Sequence, residues 1–203
     1  MPNSNKNYQK ESLKILGIKN YFNANEIKHF KIDELIITNF TNFRDNPPLE
    51  IVNFIKNSFL KNEKLKRLKS NNYKVFLDRT GQSSLYRDIT NKNIIINYLR
   101  KKKFRIINPD KLNFMSQIKI FNNAKLIVGV HGAAFTNILF CRKNAKIYEL
   151  KSLNSNNYTL NNLAKKLNLY FKSLYFKPIK SSINNRSWNS KFFVDLKRLS
   201  KYF

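Results

Sequence analysis

The stretch Lys125–Phe140, KLIVGVHGAAFTNILF, decides how this chain reads. Leu126-Ile127-Val128 is a continuous apolar run, as expected of a strand buried on both faces. Gly129, Gly132, Ala133 and Ala134 then bracket His131 with small residues. Apolar residues return at helical spacing at Phe135, Ile138, Leu139 and Phe140. The pattern predicts strand, tight loop, helix. Small residues at such a junction let a ligand approach the backbone closely, and the helix start offers N–H groups and positive potential suited to a phosphate. Glycine serves equally well there to make a turn, so the stretch alone leaves both readings open.

Working outward, the same alternation repeats on both sides. Upstream, Val75–Leu77 reads as a buried strand, Asp78–Thr90 as a polar loop containing Gly81, and Asn91–Lys103 as a helix with Ile95 and Leu99 on one face. Phe104–Ile107 is the next strand, closed by Asn108-Pro109-Asp110, and Phe114, Ile118 and Phe121 mark another helix. Downstream come a strand at Lys146–Leu150, a helix carrying Leu160, Leu163, Ala164 and Leu167, a strand at Leu169–Phe176 and a terminal helix striped by Phe192, Leu196, Leu199 and Phe203. Strand alternating with helix implies an α/β fold, a Rossmann-like parallel sheet with helices on both faces.

The N-terminal third is less regular. Residues 1–12 read as a disordered tail, Leu13–Ile18 as a short strand and Glu26–Thr38 as one or two strands. Pro47-Pro48 opens a helix whose apolar face would hold Ile51, Val52, Ile55 and Phe59. The basic run Lys61–Asn72 is the best boundary, dividing the chain into a tail (1–12), an N-terminal segment (13–72) and the Rossmann-like domain (73–203).

Ligands of a parallel sheet bind at the carboxyl ends of its strands. That rule gathers Arg79, Thr80, Ser83, Ser84 and Arg87 from the loop after the first strand, His131 and Gly132 from the central loop, and Glu149 from the end of the next strand. Arginines, backbone N–H groups and one carboxylate at a shared rim suit a nucleotide: the arginines take phosphates through paired N–H bonds, and the carboxylate accepts from ribose hydroxyls. Asn91 doubles as a helix cap and Gln117 as a polar flank. Trp188, in a polar loop, has no role in this reading.

Composition bounds the alternatives. The 203 residues carry 39 Lys plus Arg against 12 Asp plus Glu, a net charge of +27. Such a surplus favours an anionic partner: nucleic acid, an acidic membrane surface or a phosphorylated substrate. Abundant Lys, Asn, Ile and Phe together are also what an AT-rich coding sequence produces. Cys141 is the single cysteine, so no internal disulfide forms, and two histidines with one cysteine argue against a zinc cage. No apolar run approaches the roughly 20 residues that span a bilayer, and the N-terminus lacks the apolar core of a secretory signal. The expected location is cytoplasmic, including the inner face of a membrane.

The order of these motifs resembles the catalytic region of glycosyltransferase family 61, the DUF563-type proteins. It runs FLDRTG at 76–81, RDITN at 87–91, LNFMSQIKIFNNAKLIVGVHGAAFTNILF at 112–140 and AKIYEL at 145–150. The similarity extends over roughly 73–203, more weakly back to about Lys14. What the resemblance implies is an inverting, metal-independent transferase of the GT-B type, in which two Rossmann-like domains face each other across a cleft. It needs no cofactor, and its donor substrate is a nucleotide-sugar, commonly UDP-linked. By the same resemblance, Arg79 would contact the donor phosphate, Arg87 and Asn91 match an Arg…Asn pair, and His131, Gly132 and Ala133 form the donor loop. Glu149 would hold the ribose.

Two positions depart from the family pattern: Asp78 stands where Ser is usual, and Lys92 follows Asn91 where Glu is usual. Only about 70 residues precede the regular region, against the ~100–150 of a typical domain. They resemble the closing part of the partner domain, so a separate chain supplying the rest is one expected partner. The catalytic base is unassigned, with Asp33, Glu34 and Asp45 as weak candidates. The expected activity is transfer of a sugar from a nucleotide-sugar to a glycan or surface-polysaccharide acceptor. A truncated chain that only binds nucleotide, or a basic nucleic-acid-binding protein, are the alternatives. Against the latter, no RRM, KH or helix-turn-helix signature is present.

Overall fold

The structure, a computed structural model, describes residues 7–21, 29, 31–34, 36, 46–61, 72–79, 87–179 and 190–203. Five strands form its centre: β1 (Tyr73–Leu77), β2 (Phe104–Ile107), β3 (Ala124–Val130), β4 (Lys146–Ser152) and β5 (Tyr170–Phe176). They pair in parallel throughout, in the order β2-β1-β3-β4-β5. The order reverses between β1 and β3, the topological switch point where open α/β sheets leave a crevice.

Both faces of the sheet are covered, which is why the strands read as near-continuous apolar runs. On one face Val75, Leu77, Ile127 and Ile147 pack under α4 (Phe114–Asn123), α5 (Thr159–Lys166) and the 3₁₀ segment Ala133–Phe140. On the other, Phe76, Val128, Tyr148 and Leu174 pack under α3 (Lys92–Lys101), through Ile95 and Leu99, and under the C-terminal segment. The Gly-rich loop therefore leads into a 3₁₀ helix rather than an α-helix, and this piece fills the face with Phe135, Ile138, Leu139 and Phe140, all buried.

Several N-terminal expectations change. Residues Asn7–Ile15 form α1, where a tail and then a strand from Leu13 are expected. The reason is tertiary: the Glu11 carboxylate accepts from Phe114 N (2.9 Å) and Met115 N (3.1 Å), satisfying the exposed N–H groups of the first turn of α4. Asn113 caps the same helix from within the chain, accepting from Ser116 N at 2.8 Å. The helix after Pro48 is α2 (Leu49–Leu60). Its buried residues are Val52 and Phe59, while Ile51 and Ile55 lie on the exposed side. Phe59 docks edge-on against Phe114 and Phe140, with centroids 5.2 and 5.9 Å away. Residues 31–34 contain no strand. The remainder of the expected Glu26–Thr38 strands lies outside the described residues, except His29 and Ile36. So do most of the Lys61–Asn72 boundary, Thr80, Gly81, Ser83, Ser84, Asp45 and Trp188.

The terminal helix is shorter than its stripe predicts: α6 spans only Leu196–Leu199. Asp195 sets its start by accepting from Arg198 N at 3.2 Å. Phe192 is extended and bridges Ile89 and Pro178, so its apolar side chain fills the core from a strand-like segment. No helix of the described residues is long and apolar enough to cross a membrane.

Candidate functional site

The crevice between β1 and β3 assembles the central residues. Leu77 pairs with Gly129, Gly129 with Glu149 and Glu149 with Ser173, so one row crosses four strands. Side chains at registered positions of a parallel sheet share a face. Gly129 is small in this row because a Cβ would stand 2.8 Å from Leu77 Cβ and 3.3 Å from the Phe135 ring. Its role is packing. Gly132 is different: a Cβ there would collide with the Arg79 guanidinium. With φ at 174° its backbone is extended and unstrained, so the requirement is space for Arg79.

Arg79 is held across this gap. Its Nη1 donates to His131 O at 2.7 Å. The Arg79 carbonyl in turn accepts from Lys92 Nζ at 2.5 Å. Lys92 also pairs with Asp78 at 3.0 Å and Asp88 at 2.5 Å. The two residues that depart from the family pattern, Asp78 and Lys92, thus meet each other. The lysine offsets the Asp78 charge and braces the segment that carries Arg79.

Burial pushes the pKa of both Arg79 and Arg87 below the usual guanidinium range. For Arg79 the carboxylates of Asp88 and Asp110 oppose the shift, whereas for Arg87 the charge of Arg79 adds to it. Two half-buried cations that repel each other are an arrangement that a bound anion relieves. Beside them lies a pocket of about 100 Å³ lined by Asp78, Arg79, Pro109, Asp110, Gly132 and Ala133. The 3₁₀ segment starts there, so the N–H groups of Ala133 and Ala134 have no acceptor within the helix. Arg87 and His131 line a neighbouring recess of about 10 Å³, room for a single water.

Glu149 takes a different place from the one expected. It is the fourth of seven residues in β4, fully buried, and not at the strand end. One carboxylate oxygen bonds His131 Nδ1. The other accepts from Ser173 Oγ at 2.9 Å and pairs with the equally buried Lys151 at 3.1 Å. A carboxylate so enclosed orients the imidazole, leaving Nε2 as the ring nitrogen available for other partners. Ribose contact by Glu149 is corrected to this supporting role. Lys151 donates in addition to Asn157 O.

Asn91 is also corrected. Its Nδ2 donates to Val194 O at 2.9 Å and its Oδ1 accepts from Val194 N at 3.1 Å. It makes no cap bond to its own helix. Both ends of the amide are spent on fastening the C-terminal segment. Gln117 proves structural as well: it donates to Pro109 O and Leu112 O and accepts from Asn137 Nδ2 at 2.8 Å, tying the 3₁₀ segment to α4. Asp33 and Glu34 are exposed. Sequence reasoning singled out Lys92 without assigning it a role, and missed Asp88, Lys151, Ser173 and Asn137. The available signal was a polar residue set in an apolar run, as Lys151 follows Leu150 and Asn137 precedes Ile138.

A family model described as Glycosyltransferase 61 matches residues 4–148, which reaches further toward the N-terminus than the motifs alone. The bovine EGF domain-specific O-linked N-acetylglucosamine transferase is 33% identical over 75 residues, covering 34% of this chain and 14% of the relative. The mouse protein of the same description is 30% identical over 82 residues, covering 38% and 16%. The xylan glycosyltransferase MUCI21 of Arabidopsis thaliana is 29% identical over 111 residues, covering 52% and 22%. The matched segments thus span about a fifth or less of the length of these relatives.

Proposed function

The chain belongs to the glycosyltransferase 61 family, and from that premise we propose that it carries the donor-binding half of a sugar transferase. The observation that carries this reading is the triad at the β1/β3 switch point, where Gly132 makes room for Arg79 and Arg79 is anchored on His131 O. The donor is a nucleotide-sugar, UDP-linked in this reading, and the acceptor a glycan. The diphosphate sits at Arg79, Arg87 and the N–H groups of Ala133 and Ala134. A pocket of about 100 Å³ holds a phosphate-sized group, well below the ~300–1,000 Å³ of a complete small-molecule site. The nucleoside and sugar therefore extend over the rim, where a facing domain of a GT-B pair would cover them.

In the reaction so drawn, an acceptor hydroxyl oxygen bonds the sugar C1 while the C1–O bond to the diphosphate breaks. UDP leaves with the electron pair and the configuration at C1 inverts. Arg79 and Arg87 stabilise the charge that develops on the leaving phosphate. The acceptor proton goes to a general base contributed from beyond this pocket.

Calorimetric titration of UDP into the chain tests the donor site. One saturable site, weakened by about tenfold or more in Arg79→Ala, is expected from the loss of a charged hydrogen bond. A well-folded chain that takes up no UDP, or an Arg79→Ala variant that binds it unchanged, would sink the assignment.

A further inference from the structure

We propose a second anion-binding site at the opposite end of the sheet, formed where β1, β2 and β3 begin and selective for a phosphate-bearing ligand. An open recess of about 560 Å³ lies there, lined by Lys74, Lys102, Lys103, Arg105 and Lys125 together with Asn72 and Tyr73. It is several times larger than the pocket at the switch point and within the size range of ligand sites. It stands apart from the donor rim by the length of β3, seven residues or roughly 20 Å, so the two cannot share one nucleotide.

Its chemistry is one-signed. Five cations face the recess from three strands and one turn, and no carboxylate lines it. Three described acids are paired away from it: Asp78 and Asp88 with Lys92, and Glu149 with Lys151. With no carboxylate among its lining residues, the recess is a focus of positive potential.

Two features show a site more ordered than a scatter of surface lysines. The Arg105 guanidinium lies 3.4 Å from the centre of the Tyr73 ring, a stacked arrangement that fixes the plane of its N–H donors. Lys103 adopts φ 62° and Asn72 φ 44°. Glycine would occupy the Lys103 position without strain, yet the chain places a cation there, beside Lys102. A fixed guanidinium set among four lysines, with Lys74 Nζ over the Phe104 ring and Lys102 Nζ over the Tyr98 ring, matches an anion carrying more than one phosphate charge. The source is either a soluble polyphosphate or a lipid headgroup, which share this chemistry.

Inorganic pyrophosphate titrated at low salt into Arg79→Ala, in which the donor loop is disabled, isolates the recess. One equivalent of saturable binding is expected. Adding Lys102→Gln, Lys103→Gln and Lys125→Gln is expected to weaken it by at least about tenfold. The matching triple Arg variant keeps the binding, which separates lost charge from lost fold. Removing three charges elsewhere, Lys165→Gln, Lys166→Gln and Lys177→Gln, leaves it within about twofold, which separates the recess from the overall surplus of charge. UDP binding by the triple Gln variant with Arg79 intact is unchanged, so failure of the donor reading and failure of this one are read independently. Sedimentation with phosphatidylglycerol vesicles, lost in the triple Gln variant, identifies the lipid source; pyrophosphate binding without sedimentation identifies the soluble one. The proposal is overturned if the triple Gln variant binds both probes as before, or if the distant triple weakens binding equally.

Discussion

At the scale of single residues, Gly132 and Glu149 separate function from stability. In Gly132→Ala the new Cβ meets only the far end of a flexible Arg79 side chain, so folding is retained while Arg79 leaves His131 O. UDP binding is expected to fall by about tenfold or more, as for Arg79→Ala itself, with little change in melting temperature. Calorimetry paired with a thermal melt checks both halves. Glu149→Gln acts the other way, since it leaves Lys151 charged and fully buried without its carboxylate. Removing one partner of a buried pair costs about 3–5 kcal/mol. Urea unfolding measures it, and adding Lys151→Met is expected to recover much of the loss. A Glu149→Gln variant as stable as the parent would show that this pair is not a net constraint.

At the scale of elements, the decisive contacts join segments far apart in the chain. Asn91, at the start of α3, grips Val194 by two hydrogen bonds and so holds the C-terminal segment over the second face of the sheet. Asn91→Ala leaves the Val194 backbone groups without those partners. The expected result is a loss of about 1–3 kcal/mol, with hydrogen exchange rising first in residues 192–199 and not in α3. Uniform loss of protection across the domain would instead mean that the segment unfolds only with the whole. Lys92 is the matching device on the ligand side, since it joins Asp78, Asp88 and the Arg79 carbonyl at one point. It makes a single brace beside the pocket at the switch point.

The whole molecule is polarised along its strands. Arg79, Arg87 and the small-residue loop occupy the carboxyl ends, and the lysine-rich recess occupies the amino ends. Between them Cys141 is buried, and burial raises its thiol pKa from 9.0 to about 12, with the Lys56 charge opposing. A thiol raised on folding stabilises the native state fully below its unfolded value, and that contribution is lost as pH rises from about 9 to 12. Stability is therefore expected to fall over this window less steeply in Cys141→Ala than in the parent. Alkylation of native Cys141 at neutral pH is expected to proceed only as fast as the chain opens.

The order of strands and helices from Tyr73 to Phe176 was legible in the sequence, because strands buried on both faces must be apolar throughout and the helices between them must be striped. The same logic located Arg79, His131 and Gly132 near one another, since loops after parallel strands share a rim. What only the tertiary structure decided were the partners of polar side chains. Glu149 reads as a strand-end carboxylate until burial gives both its oxygens to His131, Lys151 and Ser173. Asn91 reads as a cap until Val194 takes both ends of its amide. Glu11 reads as part of a tail until it caps a helix 103 residues away. Apolar periodicity is a local consequence of which face is dry, so it is written along the chain. A hydrogen bond is satisfied by whichever group the fold brings within reach, so it is not.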